Sequence, residues 1–245
     1  LIGGMIESGR FAPEHLAVVE RLDDRRTALA ERFDGLAVLD HVPPCDAAVI
    51  AVKPDGVATA VADAAASGAR RVLSIAAGVT LDALADAAGD GVAVVRAMPN
   101  TPALVGEGCA AIAGGPTADE SDLDWAEQIL GAVGLVERVD EAMIDAFTGV
   151  AGSGPAYVFL LAETLQAAAV QQGFDTDVAE RIVSQLLVGS ATLLARDRDP
   201  AQLRRNVTSP GGTTAAGLAR FEYHDLAAIV ADVVEAATQR SRELG

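Results

Sequence analysis

Along the first 140 residues, short apolar runs rich in valine, isoleucine and leucine alternate with segments whose apolar positions recur at helical spacing. Residues 16–19, 36–39, 47–52, 71–75 and 92–96 read as strands, and residues 23–33, 57–66 and 81–88 as helices between them. Strands that are apolar nearly throughout, separated by helices, argue for a doubly wound parallel sheet covered on both faces. Residues 110–113 and 135–139 predict two more strands around a helix at 121–131. The opening segment Leu1-Ile2-Gly3-Gly4-Met5-Ile6-Glu7-Ser8-Gly9 has the pattern of the middle and end of a helix, with Gly9 ending it and no start signal, as expected of a fragment.

Beyond Asp140 the strand signals stop, and helices are predicted at 157–172, 177–195, 200–206, 213–220 and 225–242. The first of these is apolar on nearly every side and requires something to bury it. A region of about a hundred residues has only a modest core of its own, so the excess apolar surface predicts a homo-oligomer built through the helices. The chain is therefore expected to be α/β over residues 1–140 and all-helical over residues 141–245, with no internal repeat.

Composition narrows the picture. Hydrophobic residues make up 51% and charged residues 22%, which excludes disorder and collagen-like repeats. The formal charge of −17 repels phosphate backbones and anionic headgroups, so neither nucleic acid nor a membrane is an expected partner. Cys45 and Cys109 lack a CxxC spacing and His15, His41 and His224 are scattered, so no disulfide framework and no metal site is expected. No uninterrupted apolar run reaches the roughly 18 residues of a membrane span, and no basic stretch leads a hydrophobic one, which predicts a cytoplasmic protein.

Ligands of a doubly wound sheet sit beyond the carboxyl ends of its strands. Glu20-Arg21 follows the first strand and offers either an acid for ribose hydroxyls or a cation for a 2′-phosphate, which leaves NADH against NADPH open. Ala51-Val52-Lys53-Pro54 follows another and contains the chain's only lysine, although a strand-end surface charge would look the same. Ala76, Ala77 and Gly78 are small enough to let a ring or ribose approach the backbone. Met98-Pro99-Asn100-Thr101-Pro102 is a rigid loop bearing one of two asparagines.

In the helical half, Gly152-Ser153-Gly154-Pro155 precedes the long apolar helix, with Ser153 placed to cap it. The stretch Asn206-Val207-Thr208-Ser209-Pro210-Gly211-Gly212-Thr213-Thr214 concentrates free backbone N–H groups and threonine hydroxyls at a helix start. Such a segment builds an anion site without a lysine, suited to a small carboxylate whose neighbouring polar atom meets a hydroxyl.

These motifs, in this order from Ala51 to Thr214, resemble those of pyrroline-5-carboxylate reductase, and Thr208-Ser209-Pro210-Gly211-Gly212-Thr213-Thr214 resembles that family's signature. The resemblance implies a Rossmann domain over residues 1–140, followed by an all-helical substrate-binding and dimerisation domain over residues 141–245. Homodimers, and rings of dimers, are implied with it. The family also has a first strand and a Gly-x-Gly-x-x-Gly-type loop, and here Leu1-Ile2-Gly3-Gly4-Met5 matches the helix after that loop, so the first domain is expected to be incomplete.

The implied reaction is hydride transfer from NADPH or NADH to the imine carbon of 1-pyrroline-5-carboxylate, giving L-proline, with no metal. Carried over, Ser209, Gly211, Gly212, Thr213 and Thr214 form the substrate cradle, Thr214 hydrogen-bonds the imine nitrogen, and Asn206 and Ser153 reach the substrate. Glu20, Arg21, Ala51, Val52, Lys53, Pro54, Ala76, Ala77, Gly78, Met98, Pro99 and Asn100 face the cofactor. Two alternatives stand beside this one. A β-hydroxyacid dehydrogenase would use a lysine in the helical half, where none exists; a catalytically silent oligomeric scaffold would need no pyrophosphate loop.

Overall fold

The computed structural model describes residues 1–245. The chain divides into two compact units, Leu1–Ser153 with Glu235–Gly245, and Gly154–Val234.

In the first unit the elements run α1 (Ile2–Glu7), β1 (Ala17–Val19), α2 (Asp23–Arg32), β2 (Ala37–Leu39), β3 (Ala47–Ile50), α3 (Val57–Ala66), β4 (Arg71–Ser74) and α4 (Leu81–Ala88). They continue with β5 (Ala93–Met98), β6 (Gly108–Gly114), α5 (Glu120–Leu130), β7 (Gly134–Arg138) and α6 (Ile144–Phe147). The opening helix ends as its glycine predicts, with Gly9 at φ +69°.

The strands form two sheets. β1 pairs with β2 alone, in parallel, while the second sheet has the order β3-β4-β5-β6-β7. β6 runs antiparallel to β5, with Met98 opposite Ala111, whereas its pairing with β7 is parallel. The parallel sheet expected from the sequence is thus present with one antiparallel neighbour: the loop 99–107 contains only a short 3-10 turn, too little for a crossover to a parallel strand.

Side chains along β4 and β5 alternate between two cores, as strand geometry dictates. Val72 and Val94 pack with Val57 and Val61 of α3 and Leu81 and Leu84 of α4. Leu73 and Val95 pack on the opposite face with Met5 of α1 and Ala126, Ile129 and Leu130 of α5.

The second unit contains α7 (Gly154–Gln171), α8 (Thr176–Asp197), α9 (Pro200–Asn206), α10 (Thr213–Tyr223) and the first part of α11 (Leu226–Leu244). α7 packs along α8, yet none of its residues is buried and α8 buries only Ala179 and Val183. Phe159 and Leu160 are each 60% exposed, and Leu186, Val188 and Val230 extend the apolar surface. The helical run Glu141–Gln171 and α8 are long and apolar enough on mean hydropathy to cross a membrane. Counting uninterrupted apolar runs does not find them, because Glu163, Asp177, Glu180 and Arg181 break the runs without lowering the average enough.

Candidate active site

The carboxyl ends of β1, β3, β4 and β5 carry the predicted cofactor residues. Glu20 continues β1, its N–H donating to Leu39 O at 2.9 Å. Its carboxylate accepts from Leu22 N at 3.0 Å and faces Arg25 at 3.7 Å, and these partners hold it ionised, below the usual carboxylate range. Arg21 beside it is exposed. Ala51, Val52, Lys53 and Pro54 stand exposed beyond β3, with Lys53 extended ahead of a short 3-10 turn begun by Pro54.

After β4, Ala76 is buried and Ala77 exposed. Gly78 has φ +74°, and a Cβ built there would meet Leu244 O at 2.8 Å. The smallness read as room for a ligand therefore also admits the end of α11, which packs on this turn.

Asn100 acts as a cross-link. Its Nδ2 donates to Ala151 O at 3.0 Å and its Oδ1 accepts from Cys109 N at 2.8 Å, tying the loop after β5 to β6 and to the segment after α6. Met98 and Pro99, half-buried, lead into that loop, and the Met98 methyl lies 3.0 Å from where a Gly152 side chain would begin.

Ser153 does not cap a helix start, contrary to expectation. Residues Thr148–Gly152 form a π-helical turn, and Ser153 itself is helical at φ −86°, ψ −20°, its N–H donating to Thr148 O at 2.8 Å. An N-cap needs an extended backbone, which this widened turn denies it.

In the second unit, the turn Pro210-Gly211-Gly212 opens α10. Gly211 has φ +70°, closed by Gly212 N donating to Ser209 O at 3.1 Å. Gly212 is the N-cap and supplies no side-chain acceptor, so the first-turn N–H groups at Thr213 and Thr214 point outward without a cap. Both threonines are exposed. Asn206 ends α9 and accepts from Gln202 at 2.7 Å, while Thr208 Oγ1 donates to Arg204 O at 2.6 Å. Free N–H groups at a dipole's positive end, beside hydroxyls, are the requirements for a small carboxylate.

Sequence reasoning missed a polar cluster. Arg96, buried in β5, donates to Glu141 Oε1 at 2.9 Å and lies 3.9 Å from Asp145. Glu141 Oε1 also accepts from Leu81 N at 2.7 Å, and Asp145 accepts from Ser241 Oγ of α11 at 2.7 Å. An arginine between Val95 and Ala97 in an otherwise apolar strand was the available signal. The thiols of Cys45 and Cys109 are pushed up by burial and by Asp46 and Glu137, which makes both poor nucleophiles, and no group of three or more metal-ligating side chains is present.

The strand-end residues fit a dinucleotide: small or extended backbone at three strands and a held acid at a fourth. A glycine-rich pyrophosphate turn is not among the described residues.

The family model for pyrroline-5-carboxylate reductase dimerisation matches residues 141–244. A pyrroline-5-carboxylate reductase of Synechocystis sp. is 39% identical over 100% of this chain and 93% of that protein, and one from Arabidopsis thaliana is 36% identical over 98% and 89%. The structure of a pyrroline-5-carboxylate reductase from Coxiella burnetii superposes with a TM-score of 0.93 at 33% identity, over 100% of this chain and 93% of that one. The enzyme from Plasmodium falciparum, solved with NADP bound, superposes with a TM-score of 0.84 at 28% identity, over 99% and 92%. Likeness of this extent in sequence, fold and dimerisation region places the chain in the pyrroline-5-carboxylate reductase family.

Proposed function

We propose that this protein reduces 1-pyrroline-5-carboxylate to L-proline with NADPH or NADH. The observation that carries the reading is the uncapped start of α10 after Pro210-Gly211-Gly212, with the Thr213 and Thr214 hydroxyls beside it. The N–H groups of this turn, with Ser209, hold the substrate carboxylate. The Thr214 hydroxyl donates to the imine nitrogen, which draws electron density from the adjacent carbon and prepares it for hydride. As the C=N bond becomes C–N, the nitrogen takes a proton and the carbon takes hydride.

The nicotinamide, when bound, supplies that hydride. The protein's part is to position and polarise. Glu20, Arg21, Lys53, Pro54, the Ala76–Gly78 turn and the Met98–Asn100 loop contact the cofactor in this reading, and Asn100 also fixes its own loop through Ala151 and Cys109. Asn206 and Ser153 complete the substrate contacts. The unburied apolar surface of α7 and α8 supports a homodimer; a ring of dimers and a cytoplasmic location complete the reading.

The test is oxidation of NADPH or NADH by the purified chain, dependent on the imine and yielding proline. Turnover supports the reading. A folded, dimeric protein that consumes neither cofactor, also when a strand and glycine-rich loop are placed ahead of Leu1, overturns it in favour of the scaffold alternative.

A further inference from the structure

We propose, resting on the reductase reading, that Asp145 and Ser241 are positioning residues: their hydrogen bond docks the end of α11 against Gly78 and so holds the turn 76–80 in the shape that receives the cofactor. β3, β4 and β5 are mutually parallel, so this turn stands at the carboxyl edge of the sheet, where a doubly wound fold takes its ligand.

Both ends of the turn are anchored. It leaves β4 after Ser74, which is fully buried, lies opposite Arg96 in the strand ladder and accepts from Ala76 N at 3.4 Å through its hydroxyl. It enters α4 at Thr80, whose hydroxyl accepts from Ala83 N, and the next N–H, that of Leu81, is taken by Glu141. Between these anchors Ala77, Gly78 and Val79 make no backbone hydrogen bond. Val79 packs its side chain on the core, whereas Gly78, at φ +74°, has no side chain with which to do so.

The end of α11 fills that gap. Residues Glu235–Gly245 belong to the first unit, and the space a side chain on Gly78 would need is occupied by Leu244, with its carbonyl oxygen 2.8 Å and its Cβ 3.5 Å from the built position. Thr238 is buried, Ser241 Oγ donates to Asp145 Oδ1 at 2.7 Å and Leu244 meets Gly78, three contacts at three-residue spacing along one side of the helix. Asp145 in turn lies 3.9 Å from Arg96, the buried guanidinium that also bonds Glu141. One polar cluster therefore sets both the helix end that covers the turn and the helix start into which the turn runs.

Ser241→Ala removes the donor without adding bulk, and Ser241→Thr keeps it. In backbone relaxation by NMR on the full chain, the order parameters of Ala77, Gly78 and Val79 are expected to fall in Ser241→Ala while those of β5 hold, and to match the parent in Ser241→Thr. In steady-state kinetics, KM for the nicotinamide cofactor is expected to rise about tenfold in Ser241→Ala, the effect of one lost hydrogen bond to a charged group, with kcat changed by less than about twofold. A turn as rigid in Ser241→Ala as in the parent overturns the assignment, whatever happens to the melting temperature. A loosened turn with an unchanged cofactor KM overturns its role in receiving the cofactor. A parent that consumes neither cofactor overturns the reductase reading, and the order parameters then decide by themselves whether the Asp145–Ser241 bond holds the turn.

Discussion

Thr214 is placed in the first turn of α10, exposed and with its helix start uncapped, so its hydroxyl is free to serve a ligand. Thr214→Ala is expected to lower kcat/KM by about tenfold or more, the loss of one hydrogen bond formed in the transition state, whereas Thr214→Ser retains most activity. Steady-state kinetics with the imine check both. Gly78→Ala acts differently: φ +74° and the Leu244 carbonyl 2.8 Å from the new methyl group predict a lower melting temperature. The turn at Thr208–Thr214 and the uncapped start of α10 are legible in the sequence, because they come from consecutive backbone groups. The second roles of Asn100 and Gly78 are not, since Ala151 and Leu244 lie far from them along the chain.

At the scale of elements, the boundaries of α3, α4 and α9 coincide with those predicted from periodicity, because each is bounded by strong punctuation such as Thr80 capping α4. The antiparallel turn of β6 and the π-turn at Thr148–Gly152 escaped prediction, since pairing direction and helix widening follow from tertiary contacts and leave no local pattern. α5 is begun by a capping box in which Asp119 accepts from Ser121 and Asp122 N–H groups, and Asp122 reciprocates. These bonds hold Asp119 below the ordinary aspartate range. Its contribution is therefore complete above the unfolded value and is lost as pH falls through the lowered folded value. Asp119→Ala is expected to lower the melting temperature at neutral pH, with the difference from the parent vanishing in acid. The Arg96 cluster joins β5, α4, α6 and α11. Glu141→Ala leaves that buried guanidinium short of a partner and frees Leu81 N, at a cost of roughly 3 kcal/mol, the low end for breaking a buried pair. A lower urea midpoint at unchanged slope is the expected readout.

For the whole molecule, the exposed apolar surface of α7 and α8 lies in the dimerisation region matched at residues 141–244, and in the proposed homodimer a second copy covers it. Two charges placed on it, as Phe159→Glu with Leu160→Glu, are expected to turn the dimer into a monomer in sedimentation and to lower its thermal stability. Periodicity foretold this surface because a helix apolar on every side has no solution within so small a helical unit.

β1 and β2 bond only to each other, apart from the five-stranded sheet. Strands of three residues make few ladder bonds. In native-state hydrogen exchange, their amides are expected to exchange well before those of β4 and β5, whose side chains are buried on both faces. Glu20 thus stands beside a strand pair expected to exchange before the central strands, and bound dinucleotide is expected to slow exchange there.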